Sequence, residues 1–133
     1  MGIKSHLEAN FDFEIVDEFL DHYSLMVDSM EVMITDLSKL DMREKSVNEL
    51  FRVFHTIKSS SAFLGLQTIS KLSAFVEDAL DVLRKTDRPI SDEVINWLLL
   101  ISDMFSQWND DFKNDNELSK IKFFLLKIPD LDK

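Results

Sequence analysis

Three histidines, at positions 6, 22 and 55, carry most of the chemistry this chain could perform, because it contains no cysteine. That absence removes disulfides, thiolate metal sites, iron–sulfur clusters and thiol nucleophiles together. His6 stands in an N-terminal stretch expected to fray. His22 follows Glu18 by four residues, which puts two metal-capable side chains on one helix face. No third ligand accompanies them, and the pair reads as a surface histidine beside a surface acid. His55 has a more specific setting. At ~100° per residue, Val47, Leu50, Phe54, Ile57, Ser61 and Leu64 cluster on one side of a helix, and His55 falls roughly 130° from their middle. It therefore looks out from the margin of the core. Its one-turn neighbours are Phe51, Arg52, Lys58 and Ser59, and Ser59, Ser60, Ser61 and Ala62 form a run of four small residues. By itself a lone exposed histidine is usually incidental, and small residues can simply mean close helix packing.

A hairpin count adds a partner. If the helix bearing His55 folds back on the next one about Leu66, positions equidistant from 66 face each other. His55 precedes Leu66 by eleven residues and Glu77 follows it by eleven, both roughly 16 Å from the turn at ~1.5 Å per residue. A carboxylate level with the imidazole can accept a hydrogen bond from Nδ1–H, fix the tautomer and leave Nε2 as a free nucleophile. Lys58 offers positive charge where a phosphoryl group would lie. On spacing alone, Glu77 is also readable as an ordinary exposed helix acid.

The elements that must position these residues are helices. Two Gly and two Pro are too few for a protein that turns every ten residues. Residues 10 to about 40 repeat apolar side chains at helical spacing with acids on the other face, an amphipathic helix of roughly seven turns. Asn10 or Asp12 can cap it. A second helix is expected from about residue 46 to 64, ending at Gly65, and a third from 67 or 68 to 85. Ser91 caps a fourth, with Asp92 and Glu93 in its first turn, running to about 112. A short fifth helix is expected over about 117–128, ended by Pro129. Short connections make neighbours antiparallel, so the chain reads as one all-α domain, an up-down antiparallel four-helix bundle (core about 10–114) with a short fifth C-terminal helix.

Composition narrows the function classes. The 133 residues are 45% apolar, enough for a core, and carry a net charge of −10. That charge disfavours nucleic acid and anionic membrane as partners. The densest apolar run, residues 97–101, cannot span a bilayer. A soluble, cytoplasmic monomer is the expectation. No P-loop and no His-Glu-x-x-His motif can be written, so neither a cofactor nor a metal is expected.

The run His55-Thr56-Ile57-Lys58-Ser59-Ser60-Ser61-Ala62-Phe63-Leu64-Gly65 resembles the His-x-x-Lys-Gly-(small)-(small)-x-x-(apolar)-Gly signature of histidine phosphotransfer (HPt) domains. The continuation, Leu72 through Glu77 to Leu80, Asp81 and Arg84, is similar to the third helix of the phosphotransfer domain that opens chemotaxis-type histidine kinases. The clear match covers residues 50–84. The resemblance implies a phosphocarrier in which His55 accepts the phosphoryl group, Lys58 supports it and Glu77 orients the imidazole. Gly65 would be the turn glycine. Phe51, Arg52, Ser59, Ser60 and Ala62 would form the surface on which a response-regulator receiver domain docks. It also implies a histidine kinase catalytic domain as a second partner, no ATP site in this chain, and a place either as a carrier or as the phospho-accepting domain of a larger kinase. Two positions depart from the pattern: Ser59 stands where the family usually has Gly, and Ala74 where chemotaxis kinases often have a second His. The alternative is an HPt-like helical module that binds a signalling partner without being phosphorylated. Such a module would be expected to lose the His or the Lys, and both are intact.

Overall fold

The computed structural model describes residues 2–131. The elements are α1 (Ile3–Asn10), α2 (Phe13–Asp36), α3 (Arg43–Phe63), α4 (Gln67–Arg84), α5 (Asp92–Lys113) and a 3-10 turn at Phe123–Leu126. No strand occurs among the described residues, and no described helix is long and apolar enough to cross a membrane. α3 packs most extensively on α4 and also on α2, and α2 packs on α5. With short connections between them, the four long helices run up and down around one apolar cluster, as the periodicity predicts.

The centre of that cluster is aromatic. Phe54 meets Phe105 edge to face at 5.2 Å, Phe105 meets Trp108 at 5.1 Å, and Tyr23 meets Phe112 at 5.3 Å. Such edge-to-face pairs match ring edge to ring face and add to simple burial. The Tyr23 hydroxyl donates to the Phe105 carbonyl at 2.8 Å, which satisfies its one buried polar group. Burial, with the nearby Asp111 charge, pushes the Tyr23 phenol well above its ordinary value.

Helix boundaries from α3 to α5 lie within a few residues of those expected. Ser91 caps α5, accepting from the Val94 amide at 3.3 Å, and Asp92 and Glu93 occupy the first turn. The two ends of the chain differ from the sequence expectation. The stretch before residue 13 forms a separate helix, α1, and the break at Phe11 and Asp12 is extended. Asp12 is the N-cap of α2, without a side-chain capping bond. Eight residues are too few to hold a helix in isolation, so the cause is tertiary. Leu7 is buried, the Ile3 amide donates to the Asn116 carbonyl at 2.8 Å, and Ser5 donates from both amide and hydroxyl to the Asp115 carboxylate. Gly2 lies so close to Asp115 that an added Cβ would overlap it. His6 therefore sits exposed on an ordered helix rather than in a frayed end.

The C-terminal helix, expected over 117–128, is only the single 3-10 turn at Phe123–Leu126. Side chains of α5 take up the backbone groups that a longer helix would have paired internally. Trp108 Nε1 donates to the Ser119 carbonyl and Trp97 Nε1 to the Leu125 carbonyl, each at 2.8 Å. Asp111 accepts from the Ser119 amide at 2.8 Å. The segment is thereby laid along α5 as a strap, with Leu125 buried beneath it.

Candidate functional site

The α3–α4 hairpin is set by how α3 ends. The Leu66 amide donates to the Ser61 carbonyl at 2.8 Å and the Gly65 amide to the Ala62 carbonyl at 3.1 Å, the paired bonds of a Schellman turn. Gly65 has φ +74°, and a Cβ there would meet open space. The left-handed backbone, and no crowding, is what calls for glycine. Beyond the turn, small residues let the helices approach: Ser61 of α3 and Ser73 of α4 are fully buried, and Ser70 Oγ donates to the Lys58 carbonyl at 3.1 Å.

This register brings His55 and Glu77 together. Nδ1 of His55 lies 3.2 Å from Glu77 Oε2, and Lys58 Nζ donates to Glu77 Oε1 at 3.0 Å. One carboxylate thus bridges an imidazole and an ammonium, one oxygen to each. The His55 side chain is 56% exposed while Glu77 is 13% exposed. The acid is sheltered against the bundle and the imidazole projects from it. A carboxylate can only accept, so the arrangement selects the Nδ1–H tautomer and leaves the Nε2 lone pair facing solvent, without a partner among the described residues. Chemically, that is a neutral nitrogen nucleophile, with a carboxylate ready to stabilise the positive charge that develops on the ring and a cation nearby for an incoming anion.

The remaining predicted residues divide between two surfaces. Arg52, Ser59 and Ala62 are exposed on the His55 face of α3, as its helical periodicity requires. The Ser59 hydroxyl donates to the His55 carbonyl at 3.1 Å, so it is folded onto its own helix. Phe51 stands one turn before His55 with its ring nearly parallel to the imidazole. Ser60 points elsewhere: with Ile15, Glu18, His22, Thr56 and Phe63 it lines a cleft of about 230 Å3 between α2 and α3. His22 and Glu18 share this cleft with no hydrogen bond or ion pair between them among the described residues. No group of three or more His, Asp or Glu able to hold a metal occurs among the described residues.

One feature of the site escaped the sequence reading. The Arg84 guanidinium lies over the Phe51 ring, 4.0 Å from its centroid. The hairpin count contained the signal: Phe51 is fifteen residues before Leu66 and Asp81 fifteen after, and Arg84 follows Asp81 by one turn.

A family model described as "Hpt domain" matches residues 14–111. Curated relatives include the chemotaxis protein CheA of Borreliella burgdorferi, 28% identical over 82% of this chain and 13% of the relative. The chemotaxis protein CheA of Salmonella typhimurium is 25% identical over 79% of this chain and 16% of its own length. The sensor histidine kinase CheAY of Helicobacter pylori is 31% identical over 68% of this chain and 11% of its own. The chain thus spans less than a fifth of the length of each of these relatives. No solved structure matches.

Proposed function

The chain belongs to the Hpt domain family, the histidine phosphotransfer domains of two-component signalling, and from that premise we propose that His55 is the residue that carries the phosphoryl group. The observation that supports this reading is the Glu77 carboxylate shared between His55 Nδ1 and Lys58 Nζ, which leaves Nε2 open.

The transfer runs as follows. The Nε2 lone pair of neutral His55 attacks phosphorus, and an N–P bond forms as the bond from phosphorus to the donor oxygen breaks. The leaving oxygen departs with the electron pair, as ADP when ATP is the donor or as an aspartate when a phospho-receiver is. The ring becomes positively charged, and Glu77 stabilises that charge through Nδ1–H while holding the ring in place. Lys58, 3.0 Å from the same carboxylate, supplies positive charge beside the transferred group. In the second half the N–P bond breaks, the imidazole keeps its electron pair and a receiver aspartate takes the phosphoryl group. Most of the help this site gives is orientation and charge. The donor and receiver domains bring the nucleotide site and the Mg²⁺-binding carboxylates. Relatives named chemotaxis protein and sensor histidine kinase support a kinase catalytic domain as the donor and a response-regulator receiver as the acceptor. The exposed patch formed by Arg52, Ser59 and Ala62 is the surface on which those partners dock.

The test is phosphoryl transfer from a chemotaxis histidine kinase catalytic domain with radiolabelled ATP, run on the native chain and on His55→Gln. Acid-labile, base-stable label on the native chain alone is the expected result. Label retained by His55→Gln would move the carrier to another residue, and no label on either would leave a binding module.

A further inference from the structure

A hydrogen bond to Glu77 constrains one edge of the His55 imidazole and leaves the ring free to tilt about that bond, because a carboxylate oxygen accepts over a broad range of directions. A second constraint is present. The Phe51 ring lies 12° from parallel with the imidazole, 6.3 Å away between centroids. Phe51 is in turn covered by Arg84, whose guanidinium carbon stands 4.0 Å from the ring centroid. The guanidinium is itself anchored: Arg84 Nε and Nη2 lie 2.8 and 2.7 Å from Asp81 Oδ1. Asp81 Oδ2 accepts from Lys85 Nζ at 2.9 Å. The Lys85 and Arg84 hydrogen bonds hold the Asp81 carboxyl below its ordinary value. Torsions about a ring-bearing bond are broad when nothing lies on the ring. A planar cation on the face narrows them.

Resting on the reading of His55 as the phosphoryl acceptor, we propose that Phe51 and Arg84 are positioning residues that set the plane of the imidazole. The Nε2 lone pair lies in that plane, so fixing it aims the nucleophile outward along the line of attack. Glu77 selects the tautomer, and the Asp81–Arg84–Phe51 stack selects the tilt. Phe51 thereby acts through His55, in addition to whatever surface it offers a partner. The chain's register makes this possible: Phe51 and His55 are one turn apart on α3, and the turn of α4 that carries Asp81 and Arg84 lies beside them.

The experiment compares the native chain with Arg84→Gln, Phe51→Leu and Phe51→Tyr. Arg84 is exposed, so its loss leaves folding intact even if Phe51→Leu loosens the bundle. In single-turnover transfer from a chemotaxis kinase catalytic domain with radiolabelled ATP, Arg84→Gln and Phe51→Leu should lower the saturating rate about three- to tenfold, the size of a lost aromatic contact. The half-saturating concentration should stay unchanged, and Phe51→Tyr, which keeps the ring, should retain the native rate. A raised half-saturating concentration at full maximal rate would make Phe51 a docking contact and overturn the proposal, as would no change at all. A second arm uses the unphosphorylated protein, following the ring signals of His55 by NMR. The Nδ1–H tautomer that Glu77 selects is expected in both chains, while the ring-proton shifts and ring order set beside Phe51 should change in Arg84→Gln, and identical spectra would overturn the proposal. If the native chain takes no label but the spectra change as expected, positioning stands and the carrier reading falls.

Discussion

Two histidine–glutamate pairs occupy this molecule, and only one of them is joined. Glu18 and His22 are four residues apart on α2, the spacing that places side chains on one helix face, yet no bond connects them. His55 and Glu77 are twenty-two residues apart on two helices and lie 3.2 Å from each other. Both members of the α2 pair are exposed, so an ion pair between them would gain little in water and would cost side-chain freedom. Glu77 is sheltered and already held by Lys58, so most of its freedom is lost before the histidine is added. Proximity along a helix is therefore a weaker constraint than a sheltered partner across a hairpin.

Substitutions can break this comparison, and the largest effect is expected from the histidines themselves. His55→Gln should abolish phosphoryl uptake with helicity unchanged, and His22→Gln should leave uptake at the native level. Circular dichroism and radiolabel transfer check both, and an equal loss in the two variants would erase the distinction. Next in size, Glu77→Ala should slow transfer roughly ten- to a hundredfold, the scale of a misoriented nucleophile, while Glu18→Ala leaves the rate unchanged. An unaffected Glu77 variant would remove that residue from the site. Gly65→Ala should lower stability by about 1–2 kcal/mol in chemical denaturation, because φ +74° is a left-handed conformation that strains an L residue. Its transfer rate should fall as well if the hairpin register is what aligns the pair. The smallest effect is expected at Ser59: Ser59→Gly should raise the transfer rate modestly, since it clears a hydroxymethyl group from the exposed face beside His55, and a slower rate would mean that the hydroxyl helps to hold the phosphoryl group.

The C-terminal end of α5 offers a pH-dependent counterpart. Asp115 closes α5 in a left-handed conformation at φ 51°, the same kind of turn that Gly65 makes after α3. Here the side chain earns the strained position by accepting two bonds from Ser5 of α1. Those bonds, the hydroxyl's first, hold the Asp115 carboxyl below its ordinary value of 3.8. A depressed carboxyl stabilises the folded state above its unfolded pKa, and that contribution is lost as pH falls through the lower folded value. The melting temperature of the native chain should therefore exceed that of Asp115→Asn at neutral pH, and the gap should close below about pH 4. A gap that persists into acid would assign the difference to something other than the carboxylate charge.

Much of this was legible in the residues. The period of Val47, Leu50, Phe54, Ile57 and Ser61 puts His55 outside the core, and equal counts about Leu66 put Glu77 beside it. Both statements need only the geometry of a helix and one turn. Less legible was whatever depends on side chains reaching between distant segments. Asp12 is readable as a helix cap, but the separate helix before it is not, because α1 is held by Asp115, over a hundred residues away. The C-terminal segment has helical composition, yet Trp97, Trp108 and Asp111 draw its backbone into a strap.

The sequence by itself determined the number of long helices, their order, the turn at Gly65 and the face on which His55 stands. These are local properties, decided by periodicity and by one residue's access to positive φ. Only the tertiary structure decided that Glu77 divides its two oxygens between His55 and Lys58, that Arg84 covers Phe51, that α1 is held at the end of α5 and that the strap is held along it. Such choices depend on which polar groups are sheltered from water together, and shelter exists only once the helices have packed.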